Sequence, residues 1–524
     1  MRRLTAVVAF GTALSLSPLP VSALSVTAVG ATGAGASNPG GPSVRTDPHT
    51  TTGAARAQAR RALQTADRVL SGRAPRTDAS MALLQLRLSM KQLSTVDRRR
   101  AAAILARPTD HPDFYGESYS VRAKRKCAGH ICIHWVSTTR DAAPSRRWVD
   151  RQLHMLVQVW NYEVKKLGYR PPISDGRRGG GGSGRFDVYL KELYHQGYYG
   201  ITVAEHPSST NLALYSSYLL LDNDFKRSQF HADPLQVARV TAAHEFFHAI
   251  QYAYDVREDP WLKESTATWM EDQFDDSSND NRQYLPWSQL RRPGTPLDTF
   301  SSSGFAQYGN WVFFEYLSER FGRRVVRSIW QRAASFHGGG HEYSAAAIRS
   351  ALHKYGGMTR VFGTYTSGNT TPGRSYAEGR FYPVAASKSS VSLSRDEPTA
   401  SWTTYAVRHL ASVNVDARPG PDLTARSWRL RVKVDGPRRH TMPAVVVLVH
   451  RADHRLTRRF VHLSRDGRGT LSVPFSRATT QRVTVTLENA DTRYRCHTGG
   501  GYSCNGSPTA PHPEFRLRLR AVRP

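Results

Sequence analysis

A helix signal and a metal-ligand pattern coincide near the middle of the chain. Asp233 followed by Pro234 precedes an apolar-periodic segment, and a capping residue with proline at the first helical position is typical of a helix start. The segment then carries His244, Glu245 and His248. Residues four apart share one helix face, so both imidazoles can reach one ion while Glu245 faces an adjacent water. The bare pattern also fits a core or surface helix with ordinary histidines.

A second predicted helix supplies a third ligand. It begins at the pair Asp259-Pro260 and carries Glu264. A catalytic zinc ion needs three protein ligands and an open position for water, which two histidines and one carboxylate provide. Two imidazoles and a carboxylate also favour zinc over other divalent ions. We therefore predict that His244, His248 and Glu264 bind one Zn²⁺ ion.

The two helices together resemble the gluzincins, zinc peptidases in which HExxH on one helix is completed by a glutamate on the next. The Trp-Leu-x-Glu-x-x-Ala pattern around Glu264 strengthens this, and the chain is most similar to a family of secreted bacterial metalloproteases. That family shows a strand resembling residues 185–190 and a helix resembling residues 308–311. The resemblance covers about residues 110–335 and, more weakly, the β-rich tail. It implies an α+β fold with a zincin-like domain, a small mixed sheet above an active-site helix, and a mainly helical lower subdomain.

Departures from better-known relatives limit what the resemblance implies. Gln251 and Tyr254 stand where the metzincin pattern has a glycine and a third histidine, which disfavours that class. The Gly-x-Met-Glu-Asn motif of the related aminopeptidases is missing, so an endopeptidase is favoured. Thr268 stands where thermolysin-like enzymes carry an acidic residue. Glu271 shares a helical face with Glu264 and either orients a histidine or is solvated.

The predicted chemistry is hydrolysis of protein or peptide substrates by a zinc-activated water. Glu245 is the predicted general base, accepting the water proton and passing it to the departing amine. Tyr308 is the predicted hydrogen-bond donor to the oxyanion, although a tyrosine opening an aromatic-rich helix also fits simple packing. The strand predicted at residues 215–221 is a candidate for binding an extended substrate by strand addition.

Two other readings compete with the enzyme. The first is a non-catalytic exported binding or adhesion protein, with a zincin-like core and a basic surface. The second is a zinc-stabilised structural domain, in which Glu245 would have no reason to lie at the water-facing position. Because Glu245 and all three predicted ligands are present, the peptidase is favoured.

The beginning of the chain predicts export. Residues 1–23 combine a charged start, a short apolar run and a small-residue cleavage pattern, as in a secretory signal peptide. No other stretch approaches the length that spans a bilayer, so the expected mature form is secreted, extracellular and without a transmembrane segment. A retained anchor is the alternative.

Export also bears on the cysteines. Cys127 with Cys132, and Cys496 with Cys504, form two close pairs, and an oxidising compartment favours two local disulfides. The alternative is a metal knuckle in which Cys127 and Cys132 act with His130 and His134.

Charge and composition suggest partners and domains. The formal net charge of +30 predicts affinity for anionic cell-envelope polymers, but the spread arginines carry no module for specific nucleic-acid binding. A flexible leader is predicted at 24–50, a helical segment at 51–110 that is either a propeptide or a brace, the zincin-like domain at 111–385, and a β-sandwich at 386–524.

A glycine run at residues 179–182 is predicted to be a surface loop. Asp175 and Asp187 near it are candidates for a structural Ca²⁺ ion, without a complete ligand pattern.

Overall fold

The computed structural model describes residues 48–74, 78–110, 118–177, 183–301 and 304–523. The predicted signal peptide, the leader up to residue 47 and the glycine run at residues 179–182 lie outside these residues. Within them the chain is a mixture of helices and several sheets, which confirms the predicted α+β class at that level.

Three helices form the N-terminal unit: α1 (Pro48–Leu70), α2 (Ala79–Ser89) and α3 (Thr95–Ile104). Asp78 caps α2 by accepting a hydrogen bond from the backbone N–H of Met81, and Ser94 caps α3 in the same way through Asp97. These side chains satisfy backbone donors that the first helical turn leaves unpaired.

The first sheet has five strands in the order β1-β2-β3-β5-β4. Their bounds are β1 (Lys124–Ala128), β2 (Ile131–Trp135), β3 (Phe186–Lys191), β4 (Gly200–Pro207) and β5 (Tyr215–Asp222). Strands β2, β3 and β5 are parallel, whereas β1 and β4 pair antiparallel to their neighbours.

This order corrects one prediction. The strand proposed to receive substrate, residues 215–221, corresponds to β5, which lies between β3 and β4. Its backbone groups are used on both sides, so it cannot accept another strand. The edge strand beside β5 is β4, so a strand added on this side of the sheet would pair with β4.

Four helices follow in and around this sheet: α4 (Arg146–Trp160), α5 (Arg227–Phe230), α6 (Pro234–Tyr252) and α7 (Pro260–Phe274). Ser145 caps α4, and a π-helical turn continues it over Asn161–Lys166. Asp233 caps α6 through the backbone N–H groups of Leu235 and Gln236.

Alternation along the strands gives the sheet two buried faces. Val188 and Leu190 of β3 belong to the large core that contains α4, α6 and α7. Tyr189, between them, belongs to a second core shared with the N-terminal helices, as do Ile201 of β4 and Tyr218 of β5. Because successive side chains point to opposite faces, the N-terminal helices and the α6 layer sandwich the sheet.

Six further helices complete this part of the chain: α8 (Ala306–Gly309), α9 (Trp311–Phe321), α10 (Arg324–Ala333), α11 (Ser344–Leu352), α12 (Met358–Gly368) and α13 (Pro372–Ser375). The helix predicted from Tyr308 to Phe321 is interrupted at Asn310. A Cβ on Gly309 would lie 2.8 Å from both the Tyr284 carbonyl oxygen and the Ser288 nitrogen, so the close approach of this turn requires glycine.

Most of the remaining strands form a five-stranded and a four-stranded sheet that share one apolar core, and two short strands form a separate two-stranded sheet. Their order is β11-β10-β13-β8-β6 in one sheet and β12-β9-β16-β7 in the other. The bounds are β6 (Ser389–Leu393), β7 (Thr399–Ala406), β8 (Ala411–Pro419), β9 (Arg429–Asp435), β10 (Pro443–Arg451), β11 (Leu456–Phe460), β12 (Arg468–Pro474), β13 (Thr480–Asn489), β14 (Tyr494–Arg495), β15 (Ser507–Pro508) and β16 (Glu514–Val522).

Both predicted disulfides are confirmed: Cys127 bonds Cys132, and Cys496 bonds Cys504. The alternative of a metal knuckle is wrong, because a sulfur in a disulfide cannot act as a thiolate ligand. Among the described residues, none of the helices combines the length and the apolar character that a bilayer crossing needs.

The two predicted calcium ligands contact a cationic side chain. The guanidinium of Arg107 lies 2.8 Å from Asp175 and 2.8 Å from Asp187, and it also pairs with Glu205. Asp187 in addition lies 2.8 Å from His134 Nε2. Arg107 is buried and donates to three carboxylates, so it supplies the positive charge that a calcium ion would supply at this position.

Candidate metal centre

The structure brings the three predicted ligands together at the contact between α6 and α7. The Nε2 atoms of His244 and His248 lie 3.1 Å apart. One carboxylate oxygen of Glu264 is 3.3 Å from His244 Nε2, and the other is 3.3 Å from His248 Nε2. The ligand atoms of these residues all lie within 4.8 Å of one another.

These separations fit a zinc ion. Ligands placed about 2.0–2.1 Å from a tetrahedral ion are about 3.3 Å apart. Moreover, Oε1 of Glu264 is buried and has no hydrogen-bond donor among the described residues. A buried carboxylate oxygen without a donor is costly unless a cation neutralises it.

The other ring nitrogens fix the histidine tautomers. Nδ1 of His244 lies 2.6 Å from Oε1 of Glu271, and Nδ1 of His248 lies 2.8 Å from Oε1 of Gln251. The Gln251 amide nitrogen donates to the Lys263 carbonyl oxygen, so its oxygen must face the histidine. Both Nδ1 atoms therefore act as donors, and both Nε2 lone pairs converge on the same point, as metal binding requires.

Negative charge surrounds His244. Burial lowers its pKa, but the neighbouring carboxylates of Glu264 and Glu271 outweigh this effect and raise the pKa well above the usual value. Burial also raises the pKa of Glu271 to about 7, against the lowering effect of His244. A site that stabilises positive charge on an imidazole also favours a divalent cation in contact with it.

Glu245 is held against the edge strand β4. Its Oε2 accepts hydrogen bonds from Thr202 Oγ1 at 2.7 Å and from Ser80 Oγ at 3.1 Å. A Cβ on Gly200 would lie 2.8 Å from Cγ of Glu245, so glycine at this position lets α6 approach β4. The carboxylate predicted to be the base is therefore fixed in orientation by groups outside its own helix.

Tyr308 lies beside the histidines. Its ring stacks on His244, with centroids 6.3 Å apart, and on Tyr284 at 5.0 Å. Its hydroxyl donates to Oδ2 of Asp78 at 2.9 Å. Burial raises the pKa of Tyr308 well above its usual value, and Asp78 and Glu264 raise it further, so the hydroxyl stays protonated and able to donate.

Four residues at this site were not predicted to belong to it: Gln251, Thr202, Asp78 and Ser80. The contact of Gln251 with His248 could have been predicted, because Gln251 follows His248 by three positions on one helix. The other three come from β4 and from the start of α2, and only the tertiary fold brings them to the histidines.

One other acidic group could hold a cation. Asp272, Asp276 and Glu378 place one carboxylate oxygen each within 4.8 Å of the others. However, Asp276 is exposed and Glu378 pairs with Arg282. This group of three carboxylates offers oxygen ligands only, so it lacks the nitrogen ligands that zinc prefers.

A comparison with known protein families finds no family that matches this chain, and a comparison with curated proteins finds no match either.

Proposed function

We propose that this protein is an exported zinc-dependent peptidase of the gluzincin type, with His244, His248 and Glu264 as metal ligands. The observation that carries the proposal is the convergence of two imidazole Nε2 atoms and one buried carboxylate at tetrahedral spacing, with both Nδ1 atoms held by acceptors. The zincin-like fold belongs to the same proposal. It is supported by the mixed sheet packed on α6, which carries both histidines.

The chain's own residues divide the chemistry between them. Bound zinc would act as a Lewis acid toward the attacking water and the scissile carbonyl. Glu245 accepts the proton of that water and then delivers it to the departing amine. Thr202 orients the base by donating to its Oε2, and Tyr308, whose ring stacks on His244, would donate its hydroxyl proton to the oxyanion.

The position of Glu245 separates this proposal from its rivals. A structural zinc site or a non-catalytic core needs the three ligands but not a fourth carboxylate held beside them. Here Glu245 is only 7% exposed, and Ser80 and Thr202 both donate to it. Hydrogen bonds that fix the orientation of a carboxylate beside three metal ligands favour a catalytic role over a purely structural site.

The test compares zinc binding with cleavage of a quenched protein substrate. Wild type, Glu245→Gln and His248→Ala are measured after chelation and after zinc is restored, with exposed His154→Ala as the matched control. We expect one zinc per chain in all but His248→Ala, and zinc-dependent cleavage that Glu245→Gln lacks. Failure of the wild type to hold zinc, or full cleavage by Glu245→Gln, would overturn the proposal.

A cavity in another part of the molecule supports a second function, attachment to anionic polymers. It has a volume of about 400 Å³ and lies between α13 and the β10–β11 hairpin. Its lining contains no carboxylate but includes Arg374, Arg380, His450, Arg451, His454 and Arg455. Clustered guanidinium groups match phosphate or carboxylate groups repeated along a polymer.

Attachment is tested by sedimentation with purified cell-envelope polymer at increasing salt. Arg374→Glu/Arg455→Glu should sediment several-fold less than the wild type, because each reversal replaces an attractive charge by a repulsive one. Arg468→Glu/Arg516→Glu changes the net charge equally on another sheet and is the control. Equal losses in both proteins would show that overall charge, not this cavity, attaches the polymer.

A further inference from the structure

The beginning of α2 lies directly over the candidate metal centre. Ser80 is 4% exposed, and its hydroxyl donates to Oε2 of Glu245 at 3.1 Å. Asp78, two residues earlier, accepts the hydroxyl proton of Tyr308 at 2.9 Å. Two residues at the start of one helix therefore engage the predicted base and the predicted oxyanion donor.

Helix α2 also covers the edge of the sheet that β4 forms. The backbone N–H of Thr202 donates to Ser80 Oγ at 2.9 Å, and the backbone carbonyl of Ala204 accepts from Nε of Arg87 at 2.9 Å. These two residues are two apart on β4, so their backbone groups point to the same side, away from β5. An extended peptide added to β4 would need these groups, and α2 already uses them.

Apolar contacts hold this face of α2 in place. Met81 and Leu84 form a small buried cluster with Ala204 of β4 and with Tyr252 and Val256 near the end of α6. The predicted metal ligands are almost closed to solvent. The exposed fraction of the side chain is 12% for His244 and 1% for Glu264.

We propose that α2 is an intramolecular inhibitor of the candidate metal centre, an inference that rests on the proposed peptidase function. Each contact replaces one that a substrate complex needs. The Ser80 hydroxyl takes the place of a water O–H on Glu245, and Asp78 takes the place of a carbonyl oxygen on Tyr308. Arg87, together with Ser80, takes the place of a substrate backbone along β4. Cleavage therefore requires this face of α2 to move away.

A second interface of α2 makes the inhibition separable from folding. Leu83 and Leu86 point into the core that also contains Leu63 of α1 and Ile104 of α3. Leu84 packs against β4 and the end of α6, whereas Gln85, its neighbour, is exposed. A charge at Leu84 should loosen the contact with β4, while the packing of α2 on α1 and α3 remains.

The experiment compares full-length wild type with Leu84→Asp and Gln85→Asp, which add the same charge at a buried and at an exposed position of α2. Three quantities are measured on zinc-loaded protein: zinc content, hydrogen exchange at the Thr202 amide, and binding of a fluorescent tripeptide hydroxamate. We expect faster exchange and about tenfold tighter probe binding in Leu84→Asp alone, since apparent affinity scales with the fraction of open protein. Cleavage of a peptide substrate should rise in parallel.

Ser80→Ala provides a milder second comparison, because it removes the hydroxyl without adding a charge, and we expect a smaller increase in the same direction. The inference is overturned if Thr202 exchange rises in Leu84→Asp while its probe affinity stays equal to that of Gln85→Asp. It is also overturned if wild type already binds the probe as tightly as Leu84→Asp. Absence of zinc from all the proteins would remove the proposed function and this inference together, whereas zinc binding with unchanged probe affinity removes only the inhibitor.

Discussion

The backbone N–H of Cys504 donates a hydrogen bond of 2.7 Å to Oδ2 of Asp259, which lies 245 positions earlier in the chain. Asp259 stands at the start of α7 but makes no capping bond to that helix. Its carboxylate instead accepts from Cys504 and from the Ser344 hydroxyl. The loop closed by Cys496 and Cys504 is thus fastened to the start of the helix that carries Glu264.

This contact predicts that the late disulfide supports metal binding. In Cys496→Ser/Cys504→Ser, loss of the short loop constraint should reduce the free energy of unfolding by about 2–3 kcal/mol. Zinc affinity should fall as well, because the start of α7 loses an ordered partner. Competition with a chromogenic chelator measures the affinity, and denaturant unfolding measures the stability.

Cys127→Ser/Cys132→Ser is the control, since that disulfide joins β1 to β2. Equal zinc affinities in the two double variants would contradict the prediction.

The partners of the Nδ1 atoms give a second prediction. Gln251→Ala removes the acceptor for His248, and Glu271→Ala removes the acceptor for His244. Each change should weaken zinc binding about 10–100-fold, because an unanchored imidazole loses its orientation and tautomer. The measurement is zinc competition at fixed pH. Gln273→Ala, which removes a buried amide of α7 that bonds Glu315 and Arg323, should leave zinc affinity unchanged.

Local signals in the sequence were sufficient for the helices of the site. The pairs Asp233-Pro234 and Asp259-Pro260 each mark a helix that begins at the proline, as proline at the first helical position predicts, but only Asp233 makes the capping bond. The spacing of His244 and His248 then determines that they share a face, because helical periodicity is a local property.

Contacts between distant segments could not be predicted from local sequence patterns. β4 contains a glycine at its start and ends in proline, so it gave no strand signal, although it is the edge beside Glu245. β1 is exposed on both faces and lacks an alternating pattern. The approach of Ser80 to Glu245 spans 165 positions and depends on how α2 packs on β4. The sequence predicted a strand-rich region at residues 386–524, and β6 to β16 all lie there, but the pairing of these strands depends on contacts between distant residues.

The hydroxyl of Thr202 gives a third prediction, about the base. Thr202→Val keeps the shape of the side chain but removes the donor to Oε2 of Glu245. We expect kcat to fall about tenfold with little change in KM, because the carboxylate loses orientation and not substrate contacts. Thr202→Ser should restore most of the rate. Both variants are made in the Leu84→Asp background, in which we expect the site to be open. A rise in KM with unchanged kcat would show that Thr202 acts on the substrate instead.

Buried acids near the end of α7 predict how stability depends on pH. Burial raises the pKa of Asp272 to about 7 and that of Glu315 to about 8, and each carboxyl has acidic neighbours that raise it further. Both therefore bind protons more tightly in the folded protein than in the unfolded chain. Their stabilising contribution is fully present below the usual carboxyl pKa of about 4 and is lost as pH rises through 7 to 8.

We accordingly expect the free energy of unfolding in a chelator to decrease between pH 5 and pH 8, by an amount on the order of 1–3 kcal/mol. Glu315→Gln should flatten part of this slope, because glutamine stays neutral and can still pair with Gln273, which now donates to the Glu315 carboxylate. Exposed Glu397→Gln is the control and should retain the slope of the wild type. Urea unfolding at four pH values measures the effect. A slope of the same size in Glu315→Gln and the wild type would assign the pH dependence to other groups, since the variant removes the titration while leaving the packing of α9 on α7 in place.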